Sequence, residues 1–176
     1  TFTNGNGALP ATYNSGGCVG FADLDGDSYD DLIILDQSRV LHTLYQAPNG
    51  TFTDFNLGNV SGSSQWGMCV GDFDNDGHKD VFSGGAYDGV HLMHITAPGQ
   101  GNLQSLGNGS MFMQACNMAD IDQDGVLDVF ACHDDAVSRL WKGDEAGALN
   151  NNQALMPLTS YDTGGYSNTD HSGNYG

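Results

Sequence analysis

Three acidic segments of the chain, "DLDGDSYDD", "DFDNDGHKD" and "DIDQDGVLD", share one pattern and recur at near-equal spacing. Aligned on the first residue, each carries carboxylates at positions 1, 3, 5 and 9. They are Asp23, Asp25, Asp27 and Asp31; then Asp72, Asp74, Asp76 and Asp80; then Asp120, Asp122, Asp124 and Asp128. The first aspartates stand 49 and 48 residues apart, and "TFTNGNG" at Thr1 returns as "TFTDFNLG" at Thr51. A period of this size predicts a repeat architecture with one supersecondary unit per repeat. Counted from Thr1, the units run approximately 1–50, 51–100 and 101–150, with a partial unit 151–176, in a single repeat domain 1–176.

Each unit reads as β. The acidic loops exit into short apolar runs, "LIIL", "VFSGG" and "VFAC". Second strands are expected in "RVLHTLYQ", "GVHLMHIT" and "AVSRLWKG", and a further one in "TFTDFNL", with "APNG" and "APGQG" as separators. No 12-residue window carries a helical period. About four short strands per unit is the composition of a β-propeller blade, and propellers close with roughly four to eight blades. Three full units with partial ones at each end therefore predict a segment of a larger propeller or assembly. The ending reads in two ways. Either "NTDHSGNYG", 48 residues after Asp120, is a degraded fourth loop, or "SGNYG" is the counterpart of "SSQWG" at Ser63, which would place a further loop beyond Gly176. The second is favoured by the match of Tyr175-Gly176 to Trp66-Gly67. An unpaired strand edge left in this way is a template for self-association or for a protein partner.

The loops need a counter-charge. The formal net charge is −18, from 22 acidic residues against Arg39, Lys79, Arg139 and Lys142, and every acid but Glu145 is aspartate. Neighbouring carboxylates repel by roughly 1 kcal/mol per pair in water and several-fold more near a protein surface. Aspartate is also a poor helix former, so the bias points to short carboxylates in loops, where hard cations are held. Calcium takes six to eight oxygens. Carboxylates at positions 1, 3, 5 and 9, with the carbonyl of position 7 (Tyr29, His78 and Val126), could supply them. Gly77 and Gly125 are expected at positive φ, and the first loop departs by placing Ser28 there. An EF-hand would need an acid at position 12, where Ile34, Ser83 and Ala131 stand, and flanking helices.

These loops, their "D-[LV]-[IF]" exits and the segment "YQAPNGTFTD" resemble the FG-GAP/VCBS repeat family, the calcium-loop blades of integrin-α-like propellers and of many secreted bacterial proteins. The resemblance covers nearly the whole chain. It implies that each loop joins the first two strands of a blade and binds calcium, about three ions in all, in an extracellular, secreted or cell-surface setting. It further implies a non-enzymatic structural or adhesion module, with calcium rigidifying one hairpin per blade. A self-assembling surface or filament subunit is one form of this. The alternative is a ligand- or carbohydrate-binding segment of a larger secreted protein or enzyme.

Four cysteines contain no CxxC pair, and Cys116 and Cys132, eight residues either side of Asp124, could face each other as a disulfide across one hairpin. Asn49, Asn59 and Asn108 head N-glycosylation sequons in turn-rich stretches. No catalytic residues are assigned. His91 and His94 are spaced to opposite faces of a strand, His133-Asp134-Asp135 reads as a strand-end turn, and no nucleophile elbow or phosphate loop occurs. Trp66 and Trp141 could stack on sugars. The acidic balance excludes nucleic acid as a partner, and no apolar run reaches the length of a membrane span.

Overall fold

The computed structural model describes residues 6–107, 109–134, 137–152 and 154. Among them there is no α-helix, only a 3-10 turn at Asn6–Ala8 and strands β1 to β12. The first sheet contains β1 (Ser15–Ala22), β2 (Asp31–Asp36), β3 (Val40–Gln46) and β4 (Phe52–Asn59). The second contains β5 (Gln65–Gly71), β6 (Asp80–Gly85), β7 (Val90–Ala97) and β8 (Gln100–Ser105). The third contains β9 (Met113–Ala119), β10 (Asp128–His133), β11 (Arg139–Gly143) and β12 (Leu149–Asn151). In each sheet the strands lie in sequence order and pair antiparallel, the form of a propeller blade. Among the described residues no helix is long and apolar enough to cross a membrane.

The sheets are phased differently from units counted at Thr1. Each acidic loop connects a sheet's first and second strands, and "TFTDFNLG" supplies β4, the closing strand of the first sheet. The separator expected at "APGQG" is partly strand, since Gln100 and Gly101 begin β8. That strand is exposed along its whole length and is held by main-chain pairing with β7, so no apolar alternation marks it.

Apolar side chains collect between sheets. One cluster joins Ile33, Leu35 and Leu41 of the first sheet to Val81, Met93 and Ile95 of the second. Another joins Phe82 and Leu92 of the second to Val129, Ala131 and Trp141 of the third. The second strands of the first two sheets are buried on both faces, which is why "LIIL" reads as an unbroken apolar run, whereas in β10 Phe130 and Cys132 stand on a half-buried face. The far face of the first sheet, at Leu32, Ile34 and Leu44, packs under Leu9, Tyr13 and Phe52.

The structure corrects the cysteine pairing. Cys116 and Cys132 are not bridged to each other. Cys116 is registered opposite Ala131 and Cys132 opposite Ala115, a one-residue offset that sends the two side chains to opposite faces of the sheet. Cys116 meets Cys69 of the neighbouring sheet instead. Burial and then that contact push its thiol pKa well above the ordinary value, while burial alone lifts Cys18 to about 11.

Candidate metal centre

The three acidic loops share one backbone. Position 4 has positive φ in each (Gly26 79°, Asn75 55°, Gln123 63°), and so does position 6 (Ser28 74°, Gly77 94°, Gly125 91°). The serine of the first loop therefore adopts the glycine conformation, at the steric cost that a Cβ brings to the left-handed region. Each loop is knitted by its own first aspartate. Asp23 accepts from Asp27 N at 3.1 Å and Ser28 N at 3.0 Å. Asp72 accepts from Asp76 N and Gly77 N, both at 3.1 Å, and Asp120 from Asp124 N at 3.0 Å and Gly125 N at 2.9 Å. The fifth-position carboxylates accept from the amides of Tyr29 (2.8 Å), His78 (2.8 Å) and Val126 (3.0 Å).

This folding turns carboxylate oxygens toward a common point. Oxygens of Asp23, Asp25 and Asp27 lie within 4.8 Å of one another, as do those of Asp72, Asp74 and Asp76. In the third loop the converging set is Asp120, Asp122 and Asp128. In the second loop Asp74 and Asp80 also converge with His94, whose buried Nδ1 has no hydrogen-bond partner and lies 3.6 Å from Asp80 and 3.8 Å from Asp74. The three carboxylate-only sets, crowded oxygens at the protein surface, fit a hard divalent cation.

The ninth-position aspartates have a role that spacing alone does not disclose. Asp31, Asp80 and Asp128 are at most 1% exposed. Each divides its two oxygens between an amide seven residues back and one 15 residues on. For Asp31 these are Leu24 and Gln46, both at 2.8 Å. For Asp80 they are Phe73 at 3.0 Å and Ile95 at 2.8 Å, and for Asp128 Ile121 at 2.9 Å and Gly143 at 3.0 Å. One buried carboxylate thus ties the loop to the third strand of its sheet, satisfying two amides and its own charge together. Burial raises the Asp31 carboxyl above the usual range, opposed by its amide bonds and reinforced by Asp25 and Asp27. Burial, then Asp80, raises Asp74 in the same way.

A second feature comes from the third strands. The residue before each of those distant amides faces the loop: Tyr45 in the first sheet, His94 in the second and Lys142 in the third. Tyr45 is buried, and burial followed by Asp31 and Asp25 lifts its hydroxyl to about 12. The adjacent Asp80 carboxylate raises the His94 imidazole against the effect of burial. Lys142 Nζ donates to both Asp122 and Asp124. The three positions lie 14 residues after the ninth aspartate, so a repeat alignment carried into the third strand would have found them.

His91 and His94 do not converge, since His91 Nε2 lies 3.4 Å from Asp88, on another part of the sheet. His133 is buried at the end of β10, and Asp135 lies outside the described residues. Trp141 is core at 1% exposure, whereas Trp66 is half exposed beside Phe112 and Tyr87. Among the sequons, Asn49 is exposed and accepts from the Thr51 amide and hydroxyl, and Asn59 is exposed with Nδ2 donating to Ser38 O. Asn108 lies outside the described residues.

A family model described as an FG-GAP-like repeat matches residues 23–83 and again residues 72–131, each match running from one acidic loop past the next. Together the matches span more than half of the chain. No curated protein matches it.

Proposed function

The chain belongs to the FG-GAP-like repeat family, and from that premise we propose that it is a non-enzymatic, calcium-stabilised structural or adhesion module of an extracellular or cell-surface setting. The observation that carries this reading is the threefold recurrence of one loop backbone in which three carboxylates converge within 4.8 Å. In each loop the ligands are the aspartates at positions 1, 3 and 5. The carbonyls of Tyr29, His78 and Val126 join them, and the ninth-position aspartates offer the lone pairs left beside their amide bonds. Bound calcium supplies the positive charge that four basic residues against 22 acidic ones leave unmet. Its effect is mechanical: it holds the loop joining the first two strands of each sheet. Loops of this class bind in the range of extracellular calcium.

The test is calorimetric titration of calcium and magnesium into chelator-treated protein, paired with thermal melts. Saturable calcium binding that raises the melting temperature, with magnesium far weaker, supports the reading. Melting temperatures that coincide in calcium and in chelator overturn it.

Self-association or a protein partner at open strand edges belongs to the same proposal, because β4, β8 and β12 are each paired on one side only within their sheets. A second reading, carbohydrate binding, rests on Trp66 and Tyr87, 51% and 53% exposed, with Phe112 between them at ring separations of 5.6 and 5.1 Å. Binding of oligosaccharides that Trp66→Ala abolishes would establish it, and an unresponsive sugar array would remove it.

A further inference from the structure

We propose that Lys142 is the built-in cation of the third loop, and that it makes this loop the last and weakest of the three to take calcium. The inference rests on the calcium reading above and adds an order to it.

Three observations carry it. First, the Lys142 ammonium donates to Asp122 and Asp124 together, whereas none of the other three basic residues is paired with an acidic-loop carboxylate among the described residues. Arg39, for comparison, donates to the Gly62 carbonyl. Second, the third loop's converging carboxylates differ from those of its counterparts. Asp27 and Asp76 join their sets, while Asp124 does not, and Asp128 takes its place beside Asp120 and Asp122. Third, the lysine stands where the other sheets place Tyr45 and His94, so one structural position offers each loop a different neighbour. The strand delivers the amine from a fixed point. Trp141 before it is 1% exposed, and the Gly143 amide after it is tied to Asp128.

The consequence is electrostatic. An ammonium held against two carboxylates lowers the charge that draws a divalent ion and occupies two of the oxygens it needs. Calcium must displace the amine or bind beside a like charge, and a unit charge at this distance near a protein surface changes an affinity by tenfold or more. The pairing is self-consistent: Lys142 holds the Asp124 carboxyl below its usual range, and the two aspartates raise the lysine. Among the described residues no lysine or arginine, Lys79 included, is paired with a carboxylate of the first two loops.

The experiment follows the backbone amides of Gly77 and Gly125, the sixth positions of the second and third loops, by two-dimensional NMR through a calcium titration. In the wild-type protein Gly77 is expected to respond at calcium roughly tenfold lower than Gly125. In Lys142→Gln the two responses should coincide. Lys142→Met, which keeps the apolar stem, should do the same, and an unchanged Gly77 response certifies that each variant is folded. Equal midpoints for both glycines in the wild type, or an order that neither substitution alters, overturn the inference while leaving calcium binding intact. If neither glycine responds up to about ten millimolar calcium, well above the range for such loops, the calcium reading itself fails and takes this inference with it.

Discussion

Asp76 and Asp80 stand four residues apart in one loop, yet their surroundings have almost nothing in common. Asp80 is fully buried, with its oxygens on the Phe73 and Ile95 amides, and it joins three parts of its sheet. Asp76 is exposed and accepts from the His78 amide within its own turn. The same contrast separates Asp27 from Asp31 and Asp124 from Asp128. A desolvated carboxylate is tolerable only when hydrogen bonds replace its water, so burial commits the ninth aspartate to the fold. The exposed ones can turn their carboxylates wholly to an ion, whereas the ninth can offer only the lone pairs left beside its amide bonds. One residue type thus divides into braces and ligands within nine positions.

The widest test of that division is Asp80→Asn. The amide keeps one acceptor, sets a donor against a backbone N–H and leaves a buried amide unpaired, at a cost of about 3 kcal/mol. Denaturant unfolding should show that loss in calcium and in chelator alike, and full rescue by calcium would erase the distinction between brace and ligand. Asp76→Asn should behave oppositely, with chelated stability unchanged and the calcium increment of one loop lost. For a dissociation constant near ~0.1 mM that increment is about 1.4 kcal/mol at ~1 mM calcium. Equal losses in both conditions would make Asp76 a second brace.

Ser28→Gly sharpens the likeness of the first loop to the other two. Relief of a left-handed serine should add about 1 kcal/mol, read as a higher midpoint at unchanged slope. Destabilisation would show that the serine has a compensating contact.

The smallest effect is on pH. Asp31 and Asp74 are raised above the usual carboxylate range of about 4, so the folded chain holds protons there that the unfolded chain has released. Their contribution is present at low pH and is lost as pH rises through the raised values, and His94 acts with the same sign from about 6.5 upward. Asp124 and Asp144 are lowered, so their stabilisation fails below about 4. Chelated protein should therefore melt highest in mild acid, and a melting temperature that falls steadily from neutrality to about pH 5 would contradict these assignments.

Much of this was legible in the sequence. The acidic spacing located every loop, and "LIIL" and "VFAC" located the strands that follow because one face of each is buried and the other is buried or half-buried. The polar strand β8 was hidden, since main-chain pairing leaves no trace in side-chain pattern. The brace could not be read from spacing either, because its second amide is 15 residues away on a strand that only the folded sheet brings near. Lys142 stands at a position that the repeat spacing marks, but its contact with Asp122 and Asp124 appears only in the folded sheet. The cysteines were hidden because contact between sheets pairs Cys116 with Cys69 rather than with its hairpin neighbour.

The placement of the apolar clusters has a consequence for how the molecule comes apart. Leu35 and Ile95 share one cluster, and Phe82 and Trp141 another, so the cohesive unit is the gap between consecutive sheets rather than the sheet itself. A single blade in isolation owns half of each layer and completes neither. Stability in such a stack behaves as a sum of couplings between neighbours. Among the described residues the second sheet takes part in both clusters and the first and third in one each, so within this segment the second sheet should open last. Hydrogen exchange along β2, β6 and β10 would map that hierarchy, with β6 the slowest.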